Sequence, residues 1–393
     1  MIQRDLATAL KRRWETYPVV TITGPRQSGK TTLAQSEFPE LPYESLENPD
    51  TRAFAREDPR GFLNQHPKGA ILDEIQNLPE LLSYIQGIVD TRKHPGQYIL
   101  TGSHNLSLLK TVSQSLAGRT SLLSLLPLAL SELPERPPID TLIHRGFYPR
   151  LHQTASPSPS VYYADYFQTY IQRDIRLQAN LRDSTNFERF IRLCAGRIGQ
   201  LLNISSLAGD CGISRATAEN WLSLLETGYI CYRLQPYHSN IGKRLTKSPK
   251  LYFYDVGLAS YLIGIKAADQ IATHPLRGNL FENLIISDFQ KQFHHSGESP
   301  NLYFYRDHQG NEIDCIHPQL NSTDLIEIKS SQTINAEQYK TLLKLPPLQS
   351  PYKNTLHLVY AGDQAQTRSS LSIHTLQNAA TLFHQGKSKI PNL

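Results

Sequence analysis

The chain has 393 residues, too many for one ordinary hydrophobic core, so two or three domains are expected. Hydrophobic content of 39% and charged content of 19% exclude a disordered chain, and a net charge of +5 is too small for a whole-surface polyanion binder, so any nucleic-acid surface must be a local patch. Cys194, Cys211, Cys231 and Cys315 are scattered with no C-x-x-C pair, which speaks against a zinc site or disulfide framework and for reduced, buried thiols in a cytosolic protein.

The N-terminal stretch MIQRDLATALKRRWETYP spaces Ile2, Leu6, Leu10 and Trp14 on one helical face, and Asp5 and Glu15 set it apart from a transit peptide. The next segment, VVTITGPRQSGKTTLAQSEF, joins a β-branched run to a glycine-rich loop and then to a helix start. Gly24, Pro25, Arg26, Gln27, Ser28, Gly29, Lys30 and Thr31 fit G-x-x-x-x-G-K-[ST], the phosphate-binding loop of nucleotide triphosphatases, with Thr32 following. Strand, loop and helix N-terminus together aim backbone N–H groups and the positive end of a helix dipole at one point. Lys30 is placed to reach the β- and γ-phosphates, and the Thr31 hydroxyl to hold Mg²⁺.

Asn48 and Pro49 read as the cap and first residue of a short helix. The segment Lys68 to Gln76 is an apolar strand ending in two acids. Asp73 is expected to hold Mg²⁺ through water, and Glu74 to orient or deprotonate the attacking water. Another core strand, Gln97 to Ser103, ends in polar residues, and ligands sit beyond the carboxyl ends of such strands. Thr101 or Ser103 is thus placed to sense the γ-phosphate. Arg119 is either an arginine that stabilises transferred charge, in the same chain or a neighbour's site, or an exposed helix-end residue. The apolar stretch Leu122 to Leu130 contains Ser124 and Pro127 and falls far short of a membrane span, so neither membrane nor export is expected.

The order of phosphate loop, ILDEIQ, ILTGS, LAGRT and PLALSE, followed further on by LYFYDVGLA, resembles the AAA+ superfamily of prokaryotic predicted ATPases that carry a C-terminal domain of unknown function. The resemblance covers nearly the whole chain. It implies ATP and Mg²⁺ as cofactors, an ATP-binding core, a winged-helix-like middle and a nuclease-like end.

Residues 133–160, rich in proline and serine, read as a linker. Beyond it, Tyr163, Phe167, Tyr170 and Ile171 are expected to face a core. Ile204 to Ile230 reads as helix, turn, helix, with Gly212 in the turn and Ser214 capping the second helix. The hairpin after it is expected to carry Lys243, Arg244, Lys247 and Lys250 at its tip, a basic wing that meets DNA or RNA phosphates, or else a solvated or docking face.

In the last third, a helix beginning near Leu276 carries Glu282, and strand-like segments carry Asp314 and then Glu327 with Lys329. Alternation puts Glu327 and Lys329 on one strand face and Ile326 and Ile328 on the other. Asp314 and Glu327 could hold a divalent cation, with Lys329 positioning a water and a phosphate. This arrangement resembles the PD-(D/E)xK nucleases, with Glu282 as the helix acid; such domains also persist as binding platforms. His294 and His295 are expected at the surface.

The fold class expected is α/β. A P-loop ATPase domain with a parallel sheet (1–150) is followed by a helical connector and winged helix (151–268) and a restriction-endonuclease-like α/β domain (269–393). The function expected is a cytoplasmic ATPase, monomeric or oligomeric, acting on nucleic acid; the alternative is a nucleotide-switched scaffold for protein partners.

Overall fold

The computed structural model describes residues 2–103, 112, 115–175, 184–237, 248–344 and 353–383. It divides into two compact units. The first is Met1–Leu128 with the short segments Thr227–Tyr229 and Phe293–Glu298, and the second holds the remainder.

The first unit is built on a five-stranded parallel sheet: β1 (Val19–Thr23), β2 (Tyr43–Ser45), β3 (Ala70–Asp73), β4 (Tyr98–Thr101) and β5 (Thr120–Ser124). The spatial order is β2-β3-β4-β1-β5. β1, β3 and β4 are buried throughout because helices cover both faces, which explains their near-continuous apolar sequence. Val20, Ile22, Ile71 and Ile99 pack with Leu6 and Leu10 of the helix Leu6–Trp14 and Leu33 of the helix Lys30–Glu37. Val19, Leu72 and Leu100 point the other way, toward Leu63, Leu81, Leu82 and Ile85. Asn48 caps its helix as expected, accepting from the Asp50 N–H at 2.9 Å.

The second unit carries an eight-stranded mixed sheet. Its strands are β6 (Cys231–Pro236), β7 (Lys250–Phe253), β8 (Tyr303–Arg306), β9 (Glu312–Pro318), β10 (Ser322–Lys329), β11 (Lys353–Tyr360), β12 (Gln366–Thr367) and β13 (Ser372–His374). They are ordered β12-β13-β11-β10-β9-β8-β6-β7. The hairpin β6–β7 is antiparallel, and β6 also pairs in parallel with β8, so the edge that a free wing would leave open is taken up by the larger sheet.

Residues 133–160 are not a linker. They include the helix Ile139–Arg145, and Leu142, Ile143, Phe147, Tyr148 and Leu151 are buried. The prolines serve as helix starts in this stretch, as at Pro149 and Pro159. Tyr163, Phe167, Tyr170 and Ile171 are buried, in the helix Pro159–Tyr166 and the π-helical continuation Phe167–Ile175. LYFYDVGLA lies at the centre of this core. The Asp255 carboxylate caps the helix Val256–Leu262 through Leu258 N–H (2.8 Å) and also accepts from Phe147 N–H (2.7 Å) and Tyr163 O–H (2.6 Å). A Cβ at Gly257 would lie 2.4 Å from the Tyr163 hydroxyl, so only glycine allows that approach.

Candidate nucleotide site and carboxylate cluster

At the end of β1 the chain turns through positions that most residues avoid. Gly24 has φ 145°, Gln27 φ 63° and Gly29 φ 95°. A Cβ on Gly24 would fall 2.2 Å from the Leu125 carbonyl oxygen. The loop then enters the helix Lys30–Glu37, whose first-turn N–H groups have no partner further up the helix axis. Ser28 is fully buried, and its hydroxyl has no hydrogen-bond partner, an open polar position in the loop itself. The Lys30 ammonium donates to the carbonyls of Gly24 (3.1 Å) and Pro25 (2.9 Å). Burial lowers its pKa to about 8 against the opposing pull of Glu74 and Asp73.

The strand order places β4 between β1 and β3, so the ends of all three strands converge. Asp73, the last residue of β3, accepts from the Thr31 hydroxyl at 3.0 Å, from the Tyr43 hydroxyl at 2.8 Å and from Thr101. Burial and the Asp73 carboxylate push the Tyr43 phenol up to about 12. Glu74 sits in the left-handed region at φ 53°. Its Oε2 accepts from the Ser103 N–H (3.3 Å), the Ser103 hydroxyl (3.2 Å) and Gln76, which also donates to Ser103 Oγ at 3.1 Å. Lys30, Thr31, Asp73, Glu74, Thr101 and Ser103 therefore form one connected group.

Three residues that contact this group or its loop were not singled out as functional from the sequence. Tyr43 and Gln76 reach the two acids from β2 and from the turn after β3. Arg4 lies outside any motif, yet its guanidinium donates to the Ser28 carbonyl (2.6 Å) and the Leu126 carbonyl (2.7 Å), bracing the loop from behind. Arg119 does not join them. It precedes β5, whose first residue pairs with Val19, so it lies at the opposite end of the sheet from the loop, roughly 16 Å away at 3.3 Å per strand residue. Its guanidinium binds Asp90 at 2.8 Å. Within one chain it cannot reach the phosphate loop, which corrects the same-chain expectation.

In the second unit, β9 and β10 are antiparallel with Ile326 opposite Cys315, which sets Glu327 opposite Asp314. The Asp314 carboxylate accepts from the Ile328 N–H at 2.8 Å, and Lys329 donates to Glu327. Glu282, on the helix Arg277–His295, accepts from Tyr252 and from Lys250 at 3.0 Å. Burial and the nearby Asp314 charge raise Glu282 to about 7 and Glu327 to about 8. Sequence reasoning named Glu282, Asp314, Glu327 and Lys329 together but did not place Lys250 among them. Expected at a basic wing tip, Lys250 is instead 3% exposed on β7 and pairs with both Glu282 and Glu312. Lys243, Arg244 and Lys247 lie outside the described residues. Among the described residues, no group of three or more His, Cys, Asp or Glu side chains is arranged to hold a metal ion.

The helix Ile204–Cys211, a turn at Gly212 (φ 72°) and the helix Arg215–Thr227 precede β6. Ser214 caps the second helix by accepting from the Thr217 N–H at 3.0 Å. Trp221, Leu222 and Leu225 of that helix are buried, while Arg215 at its start is exposed. His295 is buried rather than at the surface, and its Nε2 accepts from the Leu126 N–H at 3.2 Å. Among the described residues, no helix is long and apolar enough to cross a membrane.

Residues 16–134 match the family described as AAA domain. Residues 136–269 and 277–379 match two families described as domains of unknown function, DUF8612 and DUF4143. Uncharacterized proteins of Mycobacterium tuberculosis and Mycobacterium bovis are each 31% identical over 318 residues, covering 79% of this chain and 70% of theirs. A Walker-type ATPase of Pyrococcus abyssi is similar at 15% identity and a TM-score of 0.38, over 67% of this chain and 96% of that one. The likeness of the first unit to AAA-type domains points to ATP binding and hydrolysis. The chain belongs to the same protein family as the two mycobacterial proteins, with an AAA domain as its first module.

Proposed function

We propose that this chain is an ATP-binding, Mg²⁺-dependent ATPase whose nucleotide state governs a winged helix and a nuclease-like domain that engage nucleic acid. The observation that carries the ATPase reading is the Thr31 hydroxyl on both Asp73 oxygens at 3.0 Å, because it joins the phosphate loop to the acid strand. The loop suits a triphosphate: Gly24 and Gly29 take positive-φ turns that bring backbone into the phosphate loop, and the buried Ser28 hydroxyl has no hydrogen-bond partner within the chain. Lys30 is assigned to the phosphate oxygens, Thr31 and Asp73 to the metal, Glu74 to the attacking water and Ser103 to sensing the terminal phosphate. Bound Mg²⁺ supplies neutralisation of the charge between phosphates. Arg119, paired with Asp90 in its own chain, is left to a neighbouring subunit's site or to an exposed structural role.

Coupling draws support from Tyr229, which follows the helix Arg215–Thr227 by two residues and belongs to the first unit. Its hydroxyl lies 3.1 Å from Thr23 Oγ1 and 2.9 Å from Ser124 Oγ, one residue from the phosphate loop. The three-part division at residues 150 and 268 and a cytoplasmic location belong to the same reading.

The test is ATP turnover by the parent and by Lys30→Ala, with and without DNA or RNA. Loss of turnover in the variant and stimulation of the parent by nucleic acid support the proposal; turnover at the parent rate in Lys30→Ala ends it. A second reading, a nucleotide-switched scaffold whose nuclease-like domain does not cut, is favoured by the placement of Lys250 among the acids.

A further inference from the structure

We infer that Lys250 is the resident cation of the carboxylate cluster formed by Glu282, Glu312, Asp314 and Glu327, and that this cluster holds the β6–β7 hairpin in place rather than a divalent metal. The inference rests on the nuclease-like reading of this sheet and is independent of the phosphate loop.

Each acid already has a positively polarised partner from the chain itself. Lys250 binds Glu282 at 3.0 Å and also Glu312. Lys329 binds Glu327, and the Ile328 N–H binds Asp314 at 2.8 Å. Arg306 adds a second contact to Glu312 at 3.0 Å. A nuclease-type metal would need two or more of these carboxylates turned to one point, with water or phosphate filling the remaining positions. Here the helix acid is turned to an ammonium group instead, one that is 3% exposed and so cannot swing into solvent without moving β7. The donor set does not converge on a metal position among the described residues.

Glu327 Oε2 is buried without a hydrogen-bond partner, while its Oε1 accepts from Lys329. Burial and the nearby Asp314 charge push the Glu327 carboxyl up. Lys250 in turn has reason to stay charged. Its burial opposes ionisation, but Glu282, Asp314 and Glu312 together outweigh that and raise its pKa. Removing such a lysine would strand two carboxylates in a buried site, a perturbation that costs far more than the loss of an exposed pair. Any grip of this domain on nucleic acid is then independent of metal.

The test is Mn²⁺ binding to the nucleotide-free full chain, read from the electron paramagnetic resonance signal of free Mn²⁺, for the parent, Glu327→Gln and Asp314→Asn. Superimposable isotherms through the millimolar range are expected. One Mn²⁺ per chain bound by the parent and lost in Glu327→Gln or Asp314→Asn overturns the inference. A further variant, Lys250→Met, is expected to gain an Mn²⁺ site that Glu327→Gln removes. Should Lys250→Met fail to fold, the parent and the two acid variants decide alone. Failure here leaves the ATPase reading untouched, since that reading is tested by Lys30→Ala turnover.

Discussion

Replacing Lys30 by methionine should strengthen the nucleotide-free protein while ending its hold on ATP. Lys30 is 6% exposed, and its pKa falls from 10.5 to about 8, with burial the dominant cause. At about 1.4 kcal/mol per pKa unit, the charged form costs the folded state about 3 kcal/mol relative to the neutral amine. The unfolded chain binds the proton more tightly, so this cost is fully present below pH 8. It shrinks as the pH rises through 8 and is gone above the unfolded value of 10.5. Methionine is an unbranched side chain one atom shorter that removes the charge, along with the ammonium's bonds to the Gly24 and Pro25 carbonyls. Urea unfolding of parent and Lys30→Met between pH 6 and 10, without nucleotide, isolates this group because titrations of groups distant from it cancel in the difference and an ordinary carboxylate is ionised throughout that range. The variant should be more stable by about 3 kcal/mol near neutrality, with the gap closing toward high pH, and ATP should no longer raise its midpoint. A variant less stable than the parent at pH 7, or a gap that widens with pH, would refute the assignment of burial as the dominant cause.

Gly24→Ala should abolish ATP-dependent stabilisation, because its Cβ would collide with the Leu125 carbonyl at 2.2 Å in a φ 145° conformation; thermal shift with and without ATP reports it. Arg119→Ala should leave the dissociation constant for ATP unchanged in the monomer, since the guanidinium binds Asp90 at the far end of the sheet; a tenfold loss measured by calorimetry would contradict this placement. Asp255→Ala should destabilise the chain by about 3 kcal/mol or more in denaturant titration, because three donors lose a buried carboxylate together.

The first half of the chain was legible because each part of its site is local in sequence. A β-branched run, a glycine loop and an apolar strand ending in Asp73-Glu74 each have a pattern, and strand order alone brings them together. What escaped was non-local. Arg4 reaches Ser28 across the length of a helix and strand, and Tyr43 reaches Asp73 from a short strand whose side-chain contact no local pattern announces. In the second half, the alternation around Glu327 and Lys329 located one strand face correctly. Lys250 misled, because a basic residue after a strand reads the same whether it ends in solvent or, as here, buried against Glu282 of a helix. LYFYDVGLA was legible as a landmark but not as chemistry. Its aspartate caps a helix and ties Tyr163, a contact no spacing rule announces.

Glu74 adopts a backbone shape that glycine or asparagine would accept with less resistance, and it does so beside a lysine that resists its own burial. The two residues whose replacement would most readily toughen the fold are thus two that turnover is proposed to need. A laboratory selection for heat tolerance alone would drift toward Lys30→Met and Glu74→Gly, yielding a sturdier and silent protein. Screens on this family therefore need an activity gate at every round.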